Sequence, residues 1–173
     1  MHLAVRTSGA DESFLLELLN TTPIVDGEQH DVLADPGTAR HWLRAYGGTG
    51  SAVERRHTVA ARSLLQALVR EHARVSDVAA LLNGVSSRPS TSSDGVEWGL
   101  DVPEPRRLAV RAVLAWDVLR RTSPGRLRPC GNPDCALFLI DRSKPNTARW
   151  CSMAVCGNRM KARRHYERAR AGR

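Results

Sequence analysis

The chain has 173 residues, 42 % of them apolar and 25 % charged, with a net charge of +8. That is the length of one ordinary domain, or of one domain with a small module attached, and a mean hydropathy of −0.36 fits a soluble globular protein. No apolar run nears the roughly 18 residues needed to cross a bilayer. The first ten residues lack the basic-then-apolar order of a secretory leader. Membrane insertion and a secreted disulfide scaffold are therefore not expected, and a reducing, cytoplasmic location is.

In chain order, Ser13 to Asn20 is dense in leucine and runs into Thr21-Thr22-Pro23. This predicts a short buried helix, with a strand as the alternative. Residues 23–34 read as a polar loop. Asp35-Pro36 supplies an N-cap and a proline at the first helical position, so a helix to about Tyr46 follows, with Trp42 and Leu43 inward and Gly47-Gly48 as the stop. The longest helical pattern runs from Ser51 to about Val75, with Val53, His57, Val59, Ala60, Leu64, Ala67, Leu68 and Val75 as its apolar face. Ser76 is expected to cap a further short helix that Gly84 closes. Residues 85–92 and 96–102 flank Asp94-Gly95 and predict a β-hairpin. Pro103-Glu104-Pro105 opens a helix to about Arg121 that buries Leu108, Ala112, Ala115, Trp116 and Leu119. Ser123-Pro124-Gly125 breaks it. We place the domain boundary there, with residues 1–125 as a mostly helical domain and 126–173 as a second module.

The second module holds all four cysteines, Cys130, Cys135, Cys151 and Cys156, in the pattern C-x4-C-x15-C-x4-C. Two close pairs joined by a short spacer are what a tetrahedral metal site needs. In a reducing compartment, one structural zinc held by four thiolates is the expected reading, against two disulfides or four unrelated buried thiols. His165 is the only histidine in this segment, and four thiolates already fill the shell. A closed shell leaves no position for catalytic water, and no nucleophile–base arrangement is evident, so an enzyme is not expected. Leu137–Ile140 reads as a strand whose partner returns through Arg149-Trp150, with Phe138 and Trp150 as packing residues. Ser152 should cap a helix carrying Cys156.

Charge follows the same division. Residues 1–125 carry 14 Lys and Arg against 15 Asp and Glu, whereas residues 126–173 carry 12 against 3. Arg149, Arg159, Lys161, Arg163, Arg164, Arg168 and Arg170 are the candidate nucleic-acid contacts. Ala162, Tyr166 and Ala169 form a weak stripe that could dock the last helix on its own module. Arginine outnumbers lysine 24 to 2, a compositional bias that explains the choice of cation but not its clustering.

These residues resemble the CGNR zinc finger family. Cys156-Gly157-Asn158-Arg159 is its signature tetrapeptide, preceded here by the first cysteine pair, Asp141-x-Ser143 and Arg149-Trp150-Cys151-Ser152-Met153, and followed by Lys161. Phe138 is displaced from the family's usual strand aromatic. Leu18-Leu19-Asn20-Thr21, Asp31-x-Leu33, Pro36 and Trp42-Leu43 resemble the ABATE domain that precedes this finger. The resemblance implies a bacterial, stress-linked transcriptional regulator.

The fold class expected is α+β: a mostly helical N-terminal domain with a small hairpin, then a four-cysteine finger made of a short hairpin and a basic helix. The function expected is DNA binding. RNA binding through the same surface is the alternative, and a ligand sensor working through the N-terminal domain is a third reading. A homodimer presenting two fingers is a further expectation, with Trp42 and the leucine-rich segment as candidate interface residues. A small-molecule effector is the remaining partner to be considered.

Overall fold

A computed structural model describes residues 9–93 and 95–171. Three helices form the centre. α1 (Gly9–Leu19) buries Phe14, Leu15, Leu18 and Leu19. α3 (Ala52–Val69) and α5 (Arg107–Thr122) pack against it and against each other. α2 (Pro36–Ala45) begins where the sequence places it, with the Asp35 carboxylate accepting the Thr38 amide at 2.8 Å. On α5 the five residues expected to be buried are buried. Phe14, Trp42 and Tyr46 stack together, with the Trp42 and Tyr46 rings 4.5 Å apart. Leu15, Leu18 and Leu19 are core residues, whereas Trp42 and Leu16 are half-buried at its edge and keep part of their apolar surface exposed.

Several local readings also change. The supposed loop 23–34 contains a small hairpin, β1 (Ile24–Val25) with β2 (Glu28–Gln29), closed by Asp26-Gly27, both at positive φ. That is the Asp-Gly turn chemistry of tight hairpins. After α3, a 3-10 turn (Val75–Val78) leads into α4 (Ala79–Leu82), and it is Asp77 that caps it, by accepting the Arg74 amide at 2.9 Å. β3 (Ser86–Ser92) and β4 (Gly95–Asp101) form the expected hairpin; Asp94 of its turn lies outside the described residues. Another 3-10 turn (Glu104–Arg106) precedes α5.

The buried face of α3 differs most from expectation. Val53 and Val75 are exposed, while Glu54, Thr58 and Arg62 are 1 %, 0 % and 3 % exposed. The reason lies in the irregular segments around the helix. Backbone and side-chain polar groups of loops need partners once water is excluded, and Glu54, Arg62 and Gln66, at i, i+8 and i+12, supply them, while the buried Thr58 hydroxyl between them has no partner among the described residues. Glu54 accepts the Gly50 amide (2.7 Å) and the Thr49 hydroxyl (3.1 Å). Arg62 grips Asp31 through two hydrogen bonds of 2.6 and 2.7 Å and donates to Thr21 at 2.8 Å. Gln66 donates to the Leu19 carbonyl and the Thr22 hydroxyl. A purely apolar reading of periodicity misses a helix whose inner face is half polar.

The C-terminal module sits on this helical body through β6 (Phe138–Ile140), which pairs antiparallel with β5 (Leu127–Pro129). The return strand through Arg149-Trp150 does not form; one bond from the Gly131 amide to the Arg149 carbonyl (2.7 Å) stands in its place. β5 precedes the first cysteine, so the hairpin carries that pair in its loop. Phe138 enters the main core, 1 % exposed among residues of α1, α3 and α5. The Asn20 side-chain amide grips the backbone of Phe138 in both directions. Its nitrogen donates to the carbonyl at 3.2 Å and its oxygen accepts the amide at 2.7 Å. A single side chain thus occupies the edge of β6 where a further strand would pair. Arg70 covers the Phe138 ring at 4.2 Å and donates to the Ala136 carbonyl at 2.9 Å.

Candidate metal centre

Each cysteine pair is presented by a local device. Cys130 leaves β5 with its amide bonded to the Leu137 carbonyl at 2.8 Å. Asn132 then builds the turn to Cys135. Its side-chain oxygen accepts the Asp134 amide and its carbonyl accepts the Cys135 amide. In the second pair, Ser152 caps a π-helical turn (Met153–Gly157) by accepting the Val155 amide at 3.4 Å, and that turn opens α6 (Asn158–Ala171). Cys156 lies at the end of the turn. The expected Ser152 cap is therefore present, one wide turn ahead of the α-helix.

Gly131 and Gly157 both lie against the Trp150 ring. A Cβ on Gly157 would come within 2.8 Å of the Met153 sulfur and 3.3 Å of Trp150 Cδ1; one on Gly131 would lie 3.2 Å from Trp150 Cζ3. The glycine of the Cys-Gly-Asn-Arg element lets Met153 and Trp150 approach closely, and its φ is not in the left-handed region. Trp150 thus packs against the two glycines that follow Cys130 and Cys156.

The four sulfurs lie within 4.8 Å of one another, and among the described residues this is the only cluster of three or more metal-type donors. Cys135 and Cys151 are 3.8 Å apart at sulfur, and Cys151 and Cys156 3.7 Å. A tetrahedral ion with metal–sulfur bonds of about 2.3 Å sets its ligands about 3.8 Å apart. The spacing matches ligation and is far too long for the roughly 2.05 Å of a disulfide. All four residues predicted as ligands are thus brought together. Burial pushes the Cys135 thiol up to about 11 and raises Cys151 further. Burial acts on Cys156 too, but the hydrogen bond from Asn132 and those of its neighbouring cysteines outweigh it and hold that thiol below its usual value. Ionising four thiols this close together requires a cation among them.

One supporting residue, Asn132, was not singled out from sequence. Asn132, 1 % exposed, donates its side-chain amide to the Cys156 sulfur at 3.4 Å, linking the first turn to the second pair. The Cys151 amide points at the Cys130 sulfur at 3.4 Å in the same way. Such bonds orient thiolates and spread their charge. Asp141, fully buried, gathers the amides of Ser143 (2.8 Å) and Ala148 (2.7 Å) and pairs with Arg128 (3.1 Å). Those hydrogen bonds to Ser143, more than the charge of Arg128, hold its carboxyl below the ordinary range. Asp141 thereby folds the loop that returns the chain to Cys151. Its Asp-x-Ser spacing is a visible turn signal; the contact of Asn132 with sulfur is tertiary and has no sequence signal.

All seven predicted nucleic-acid residues are exposed, six of them distributed around α6 and Arg149 ahead of it. Every residue from Lys161 to Arg170 is exposed, Tyr166 at 69 %, so the Ala162/Tyr166/Ala169 stripe does not dock. Too little of that face is apolar to offset ordering it against the knuckle. Arg163 reaches Glu167 at 3.1 Å and Asp134 at 3.7 Å, both exposed contacts. Arg149 lies over Trp150 at 5.2 Å. Arg159, Lys161, Arg164, Arg168 and Arg170 project from α6 into solvent.

A helical body whose core receives a strand from a four-sulfur knuckle positioned to bind a metal defines a protein with a metal-binding finger. Residues 126–169 match the family model described as the CGNR zinc finger. Residues 12–122 match that of ABATE, described as "Putative stress-induced transcription regulator", and since this match spans most of the chain, the protein belongs to the ABATE family. No curated protein matches it. No described helix is long and apolar enough to cross a membrane.

Proposed function

We propose that this protein is a DNA-binding transcriptional regulator of the cytoplasm, responding to stress, in which one structural zinc ion held by Cys130, Cys135, Cys151 and Cys156 presents α6 to duplex DNA. The observation that carries this reading is the state of α6. It has six Lys and Arg against Glu167 alone, with every side chain from 161 to 170 exposed. Like charges on successive turns, such as Arg159/Arg163 and Arg164/Arg168, weaken an isolated helix unless a polyanion neutralises them. The zinc supplies the folding free energy that a 48-residue basic module lacks, about 10–16 kcal/mol in comparable peptides. A four-sulfur set suits zinc by softness and by geometry. Phosphate contacts from α6 and Arg149 provide the affinity, and arginines entering a groove read guanine edges.

Binding measured in rising salt tests this. Four to six phosphate contacts give a log–log slope of roughly −4 to −5. A flat response would reject the mechanism. Duplex DNA should also outcompete single-stranded RNA, since α6 offers only the adjacent His165 and Tyr166 rings for stacking on splayed bases. Colorimetric release on thiol modification should yield one zinc per chain.

A further inference from the structure

The β3–β4 ribbon is exposed in every described side chain from Ser86 to Asp101. On one face it carries Val96, Trp98 and Leu100, which are 64 %, 46 % and 43 % exposed. A two-stranded hairpin alone is marginal in water, and stability comes with a third strand or a packed face. An apolar triplet on such a ribbon marks a contact surface.

The register says which edge is open to a further strand. Ser92 pairs with Gly95 across a two-residue turn. Such a closing pair exchanges both of its hydrogen bonds, and so does every second pair beyond it. The amides of Val96, Trp98 and Leu100 therefore point away from β3, as does position 89 of the opposite edge. That position is Pro89, which has no amide hydrogen and blunts the β3 edge. β4 has no proline and no lysine.

We propose that β4 pairs antiparallel with β4 of a second copy of this chain, joining the two ribbons into one four-stranded sheet. β4 has seven residues and Trp98 is its midpoint. A two-fold axis at Trp98 overlaps all seven, and the three outward amides of each copy meet outward carbonyls of the other. This register sets Trp98 beside its own copy and Val96 beside Leu100, giving one continuous apolar face with an aromatic pair at its centre. It also places both acidic positions of β4 opposite glycines, Asp101 against Gly95 and position 97 against Gly99, so no like charges face each other. Nucleic acid is the wrong occupant, because residues 86–101 hold three acids and one arginine. The contact is smaller than the roughly 1,200–2,000 Å² of a permanent interface, so the dimer is concentration-dependent.

Sedimentation equilibrium of the full zinc-loaded chain tests the proposal. Mass should rise from 19.0 kDa toward twice that value up to roughly 200 µM. Trp98→Lys should return it to monomer. Val96→Pro, which removes one outward amide and leaves the β3 ladder intact, should weaken association about tenfold. Unchanged circular dichroism and one zinc per chain would show that both variants fold. A wild-type chain that stays monomeric, or a dimer indifferent to both substitutions, overturns the proposal. So does a monomer whose Trp98→Lys variant loses duplex-DNA affinity, which would assign the ribbon to nucleic acid.

Discussion

Two helices of this molecule are rich in arginine and have opposite fates. α3 turns Arg62 inward, where Asp31 and Thr21 meet its guanidinium, and sends Arg55 to the carbonyls of Leu33 and Ala34. α6 turns its cations outward, where the protein offers them Glu167 and Asp134 and little else. The same side chain is a structural fastener where the chain supplies acceptors and a docking group where it does not. The difference is set by what surrounds each helix. α3 lies under irregular loops whose polar groups take its side chains as partners, and α6 extends from the metal knuckle with its side chains from 161 to 170 exposed.

The largest test of that contrast removes the knuckle. Cys151→Ser should abolish stoichiometric zinc binding and weaken DNA binding by at least about 100-fold, because the metal supplies most of the folding free energy of the module. Circular dichroism should retain the helices of the body. Complete unfolding of α1–α5 would mean that the body cannot stand without β6. The seam can be tested by itself: Phe138→Ala should cost about 3–5 kcal/mol in chemical denaturation, the range for deleting a buried aromatic.

A direct comparison of the two arginine classes comes next. Arg62→Ala should lower stability by about 3 kcal/mol, since it strands Asp31 and Thr21 in a mostly buried site, and should leave the salt dependence of DNA binding unchanged. Arg164→Ala should change stability by less than about 0.5 kcal/mol and reduce the salt slope by about 1. A reversed pattern would refute the division of roles. The ion pair of Arg62 also has a pH signature. Its hydrogen bond to Asp31 is the main cause holding that carboxyl below its ordinary value of 3.8, against the opposing effect of burial. A depressed folded value means stability that is present above pH 3.8 and lost as pH falls through the folded value. The difference in Tm between the wild type and Asp31→Asn should therefore be constant near neutrality and shrink below about pH 4.

The site was more legible in the sequence than the body was. Cysteine spacing depends on local turns, so the four ligands, the Ser152 cap and the charge of α6 could all be read along the chain. The strand partner could not. Leu127–Pro129 has no clear alternation, and its pairing with Phe138–Ile140 is set by Asn20, more than a hundred positions away, and by the core of α1, α3 and α5 that receives Phe138. The inner face of α3 departs from the apolar pattern because Glu54 and Arg62 are buried for the hydrogen bonds they make. Asp26-Gly27 was a readable turn signal, passed over because strands of two residues carry no alternation of their own.

The smallest predicted effect concerns the end of the polar-faced helix. After Arg70, Glu71 adopts φ +61, and the His72 amide bonds to the Ala67 carbonyl at 2.8 Å while the Glu71 amide bonds to Leu68 at 3.1 Å. This is a Schellman cap, whose left-handed position is ordinarily glycine because a Cβ is strained there. Glu71 is exposed, and its neighbour Arg70 is the residue that covers Phe138 at the seam. Glu71→Gly should relieve the left-handed strain, partly offset by the greater freedom of glycine in the unfolded chain, for a net gain of about 0.5–1 kcal/mol in thermal or chemical denaturation. Zinc content and DNA affinity should not move. A loss of stability would show that the Glu71 side chain makes a contact that matters more than its backbone strain. A change in zinc affinity would show that the cap sets the position of Arg70, tying the end of the inward-facing helix to the metal module that carries the outward-facing one.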